Sequence, residues 1–270
     1  MRSLLISATA AALMATANTA SLATVKQVPY PVVKVKIADT YSPDAAFQQM
    51  EDALAQVSAN KDADALFSLV GPTFLWMSRG EPSDQFEFGR GALDNFKTVF
   101  GFVEPEKNAD NADSGKIADS TAPEGPFWDV LAAFATDKTL YAASDSLVCG
   151  PTRATIVDDD DFDTAKKKIG ADDSVEWYFT LGDITATSTP TDAGSPVGHV
   201  GQVALPILNV FPKAPQGQPQ PPITHLQVLL PSGKSGWIPG SAALPLVTDR
   251  LCYALTPDGW KIAAFDQSSD

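Results

Sequence analysis

Apolar residues recur along this chain with two different periods, and the change falls near the middle. After an alternating run, "PVVKVKI", the stretch Ser42-Pro43-Asp44 reads as a helix start: a capping hydroxyl, a proline at the first helical position and an acid in the first turn. Phe47, Met50, Leu54 and Val57 follow at helical spacing, which predicts a helix with one buried face. A second short helix is predicted over 62–70, stopped by Gly71-Pro72. "TFLWMSRG" reads as a strand, with Phe74 and Trp76 on one side and Leu75 on the other. "GRGALDNFKTVFGF" and "PFWDVLAAFATD" read as further helices, and residues 104–124 between them, poor in apolar side chains, read as an exposed loop.

From residue 147 the period shortens. "VEWYFTL", "ITATSTP", "VGHVGQVALPIL", "THLQVLLPS", "SGWIPG", "DRLCYAL" and "WKIAAF" are short β-rich runs broken by Gly, Pro, Asp and Ser, the pattern of a small antiparallel barrel. One helix, over 162–169, interrupts them. The expected division is a mainly helical α+β domain over 24–146 and a β domain over 147–270.

Charge and composition narrow the function. The formal net charge of −14 would repel nucleic acid and anionic membrane rather than release counterions. Residues 1–23 carry Arg2, an apolar Ala-rich stretch and small-x-small sites at Ala15-Thr16-Ala17 and Ser21-Leu22-Ala23. This reads as a secretory signal peptide, too short for a spanning helix, so the chain is expected to be exported, periplasmic or secreted, without integral membrane association. In that compartment the two cysteines, Cys149 and Cys252, can pair as a disulfide; the competing reading is two buried, unpaired thiols.

Residues 176–246 carry a family likeness. "TATSTPTDAGSPVGHVGQVALPIL" and "VLLPSGKSGWIPGSAALPL", and above all Gly233-Lys234-Ser235-Gly236-Trp237, resemble a bacterial SH3-like (SH3b) domain. The resemblance implies an α+β fold class with a mainly helical N-terminal domain followed by an SH3-like small β-barrel, closed by Cys149–Cys252. It is similar to exported envelope proteins with a helical front half and an SH3-like back half. In peptide-binding members a groove is lined by a Trp, a Pro and a Tyr. Here Pro239 keeps the Pro position, while the Trp position falls near His225 and the Tyr position near Ala243. Trp237 reads first as packing on the barrel and second as a contact residue, so Trp237, Pro239 and His225 are the candidate binding residues.

Other chemistries find little footing. Two histidines, His199 and His225, and no Cys-x-x-Cys or His-Glu-x-x-His give no metal site. Cys149 in "SLVCGP" lacks the setting of a nucleophile, so no catalytic or cofactor-binding residue is assigned and no enzyme activity is expected. The acids of 158–163 in "VDDDDFDTAKKK" lack the EF-hand alternation. They read as helix-start charges balanced by Lys166, Lys167 and Lys168 at the far end. "FPKAPQGQPQPP", with Pro212-x-x-Pro215 and Pro219-x-x-Pro222, reads as a stiff extended loop. The expected function is non-enzymatic binding of an envelope protein, a peptide or peptidoglycan. The alternatives are an NTF2-like small-molecule-binding front domain, suggested by Phe74 and Trp76 and by "DGWKIAAF", or a protein associated with a cell-wall hydrolase.

Overall fold

A computed structural model describes residues 25–78, 81–83, 87, 89–102, 127–191, 193–215, 218 and 221–268. The segment expected as a signal peptide, 1–23, and the loop expected over 104–124 lie outside these, as does part of the Pro-rich stretch. The chain enters through a short strand, β1 (Val35–Ile37), and then α1 (Ala45–Asn60). Asp44, rather than Ser42, caps α1: its carboxylate accepts from Phe47 N at 2.7 Å, satisfying a donor the first turn leaves open. Asp62 does the same for α2 (Ala63–Leu69), and the chain then extends directly into β2 (Val70–Ser78) and β3 (Glu81–Pro82). Two more helices follow, α3 (Ala92–Val99) and α4 (Phe127–Thr136), then strands β4 (Tyr141–Ser144), β5 (Leu147–Gly150) and β6 (Ala154–Ile156).

Helix α5 (Asp159–Ile169) opens the second half, capped by Asp158 and ended by Gly170 in the left-handed region, with the acids and lysines at the ends expected of them. Strands β7 (Trp177–Thr180), β8 (Ile184–Thr187), β9 (Pro196–Val200), β10 (Ala204–Phe211), β11 (His225–Leu229) and β12 (Ser235–Pro239) succeed one another. A 3-10 turn, Gly240–Ala242, leads to β13 (Ala243–Pro245), and the chain ends in the hairpin β14 (Arg250–Thr256) and β15 (Gly259–Gln267).

The expectation of a mainly helical N-terminal domain followed by an SH3-like barrel is corrected by how these strands pair. Helices α1 to α4 do not form a unit of their own. They lie on a six-stranded sheet ordered β3-β2-β15-β14-β5-β4, which takes strands from both sides of residue 146. The last strand, β15, inserts beside β2 in parallel, Phe265 opposite Trp76, and Trp76 Nε1 donates to Gln267 Oε1 at 3.1 Å. The physical reason is burial: each helix has one apolar stripe, and a sheet face covers several stripes at once. Phe47, Leu54, Leu66, Phe74, Phe96 and Tyr253 meet in one aromatic-rich core, with Phe47 edge-on to Tyr253 and Trp260 at 5.2 and 5.0 Å between centroids. Phe74 and Trp76 are buried in that core, while Leu75 stays exposed.

A seven-stranded sheet, ordered β13-β7-β10-β11-β12-β8-β9, makes the other half. Strand β10 pairs with β7 over its first residues and with β11 over its last, and a register shift between Ile207 and Asn209 marks where it bends. The bend curls the sheet around Leu205, Leu226, Val228 and Ile238. The opposite face is covered by α5 and by the incoming segment, where the Tyr30 hydroxyl donates to Leu229 O at 2.6 Å.

Candidate functional site

Alternation along β12 sorts its side chains. Gly236 and Ile238 turn inward, so Trp237 and Pro239 face out. Cross-strand register carries the same face over three strands: Phe211 stands opposite His225 and His225 opposite Pro239, while Asn209 stands opposite Gln227 and Gln227 opposite Trp237. Thr187 of β8 flanks Trp237 on the other side. The structure thus brings the three candidate residues Trp237, Pro239 and His225 together. Trp237 is half-buried on the outside of the sheet rather than enclosed in its core.

The sequence reading missed Phe211, which is 42% exposed and packs edge-on against Trp237, 6.3 Å between ring centroids. Alternation alone does not flag it, because the register of β10 shifts between Ile207 and Asn209. Backbone bonds fix the rim of this face: Thr224 N donates to Phe211 O and Gly240 N to Thr224 O, both at 2.8 Å. His225 Nδ1 lies 3.1 Å from Thr224 Oγ1, within hydrogen-bonding distance. Among its described residues the face carries two aromatic rings, a proline, an imidazole and two amide side chains, and no carboxylate. That combination offers apolar area with hydrogen-bonding tips, suited to an extended chain or a sugar ring.

Cys149 and Cys252 lie elsewhere. They form a disulfide between directly opposed residues of β5 and β14, in the six-stranded sheet and not in the seven-stranded one, so the expected barrel closure is corrected. Both are bound in that bond, and neither offers a thiolate. Of the acidic run, Asp158 accepts from Asp160 N and Asp161 N as the α5 cap, and Asp163 pairs with Lys166 at 3.0 Å. Among the described residues no group of three or more His, Cys, Asp or Glu side chains is placed to hold a metal ion, and no helix is long and apolar enough to cross a membrane.

Comparison with protein-family models, with curated proteins and with solved structures finds no match to this chain.

Proposed function

We propose that this is an exported, non-enzymatic binding protein whose residues 176–246, the stretch that resembles an SH3b domain, hold a cell-envelope component on the outer face of β10, β11 and β12. The ligand is an extended peptide, and the peptide-bearing polymer of that compartment is peptidoglycan. One observation carries the reading: Phe211, His225 and Pro239 stand in register on an outward face with Trp237 in the adjacent row, while Leu226 and Ile238 between them are buried. Aromatic rings left partly in water beside polar tips are the composition of binding-site centres rather than of ordinary surface. The Gly233-Lys234-Ser235-Gly236-Trp237 element, which carries the family likeness, spans the β11–β12 turn and places Trp237 on this face. The test is co-sedimentation of the protein with purified peptidoglycan. Enrichment over an equally acidic control protein is expected, and recovery equal to that control would refute the reading.

A further inference from the structure

The two-stranded ribbon of β1 and β6 has one apolar and one basic face. Val33, Val35 and Ile37 turn inward with Ala154 and Ile156, onto the core beneath α5. The same alternation sends Lys34 and Lys36 outward, where both are exposed. Lys36 stands opposite Thr155, and Ala38 N donates to Arg153 O at 2.9 Å, which places Arg153 next along the same face. Three cations therefore line one short ribbon in a chain of 19 basic and 33 acidic residues.

Among the described residues, Lys34, Lys36 and Arg153 make no salt bridge, whereas Arg90, Lys138, Lys166 and Arg250 each do. Lys34, just before β1, and Lys36 within it are two residues apart along extended chain, about 7 Å, and repel each other. Arg153 is held in place, its guanidinium lying over the Tyr141 ring at 5.3 Å from the centroid. Arg250, on the same side of the sheet, is already paired with Asp266 at 3.6 Å. Between Lys36 and Arg153 opens a cleft of about 260 Å³, also lined by Ala38, Asp39, Ala142 and Thr155. Asp39, just beyond β1, is the one carboxylate among its described lining residues.

We propose that this cleft binds an oxyanion, a carboxylate or phosphate group of a ligand, between the Lys36 ammonium and the Arg153 guanidinium. A planar guanidinium takes two oxygens of such a group in parallel hydrogen bonds, and an ammonium adds a point charge beside them. Stacking on Tyr141 restrains the guanidinium beforehand, which lowers the freedom lost on binding. The site is separate from the aromatic face and stands whether or not that face binds peptide.

The test is an NMR titration of the protein at constant ionic strength, with inorganic phosphate in one arm and acetate in the other. Saturable shifts confined to residues 36–39, 141–142 and 153–155 are expected in at least one arm, and the stronger arm identifies the preferred oxyanion. Arg153→Ala is expected to weaken binding about tenfold or more and Arg153→Lys less, with Lys234→Ala, in the β11–β12 turn, unchanged. Should Arg153→Ala fail to fold, Lys36→Gln makes the same test from the exposed side. Non-saturating shifts in both arms, or an unaltered titration in a folded Arg153→Ala or Lys36→Gln, would overturn the proposal.

Discussion

Replacing both cysteines, Cys149→Ala with Cys252→Ala, removes the one covalent tie between the middle of the chain and its last hairpin. The two residues are separated by 103 positions in sequence. In the chain-entropy account, closing a loop of that length restricts the unfolded chain by about 4.7 kcal/mol at 25 °C. The folded state loses little else, because both sulfurs sit in a small buried cluster with Tyr141 and Ala264, and alanine leaves no unpaired polar atom there. For a chain of this size such a loss corresponds to a fall in Tm of about 10–20 °C. Urea unfolding of the oxidised wild type and the double variant, monitored by far-UV circular dichroism, measures it directly. The urea dependence should also steepen, since the uncrosslinked chain exposes more surface on unfolding. A stability loss below about 1 kcal/mol would refute the reasoning, because the unfolded chain would then be restricted as much without the crosslink as with it.

Two further substitutions probe other parts of the fold. Gly233 has φ +81°, and an added Cβ would stand 2.7 Å from Val28 C and 2.8 Å from Pro29 N. Gly233→Ala should therefore cost about 2 kcal/mol or more, against about 1 kcal/mol for Gly259→Ala, where φ is also positive but the space is open; equal losses in urea melts would show that the incoming segment does not press on this turn. Burial pushes the Glu51 carboxyl up, and Lys138 at 3.4 Å only partly opposes this. The folded protein then holds the Glu51 proton more tightly than the unfolded chain, so wild-type stability falls as pH rises from the ordinary carboxylate range through the raised value. Glu51→Gln removes that fall, and its stability relative to wild type should climb as pH rises above the ordinary carboxylate range; a difference constant with pH would contradict the assignment.

Local rules made much of this molecule legible in its sequence. The apolar spacing of Phe47, Met50, Leu54 and Val57 matches the buried face of α1, and the charges of 158–168 match the ends of α5. The six-stranded sheet was not legible. Its central contact joins Trp76 to Gln267, 191 residues apart, and no periodicity within either strand records which partner it will meet. "DGWKIAAF" reads both as a late barrel strand and as the last strand of a front domain, and its own alternation does not choose between them; the pairing with β2, begun almost 200 residues earlier, does. The candidate face was half legible. Trp237, Pro239 and His225 are legible as candidates, but a lone Trp reads first as packing, whereas the inward Gly236 and Ile238 on either side already send it out. The basic face of "PVVKVKI" was present as alternation, but Arg153 joins it only through the pairing of β1 with β6.

The direct measure of the proposed function is peptidoglycan co-sedimentation of three proteins side by side: wild type, Trp237→Ala, and Leu255→Ala, an exposed apolar residue on the other sheet. If the outer face of β10, β11 and β12 holds the ligand, Trp237→Ala weakens binding by about tenfold or more, as loss of a central aromatic contact does, and Leu255→Ala leaves it unchanged. Equal binding by wild type and a folded Trp237→Ala would contradict the account.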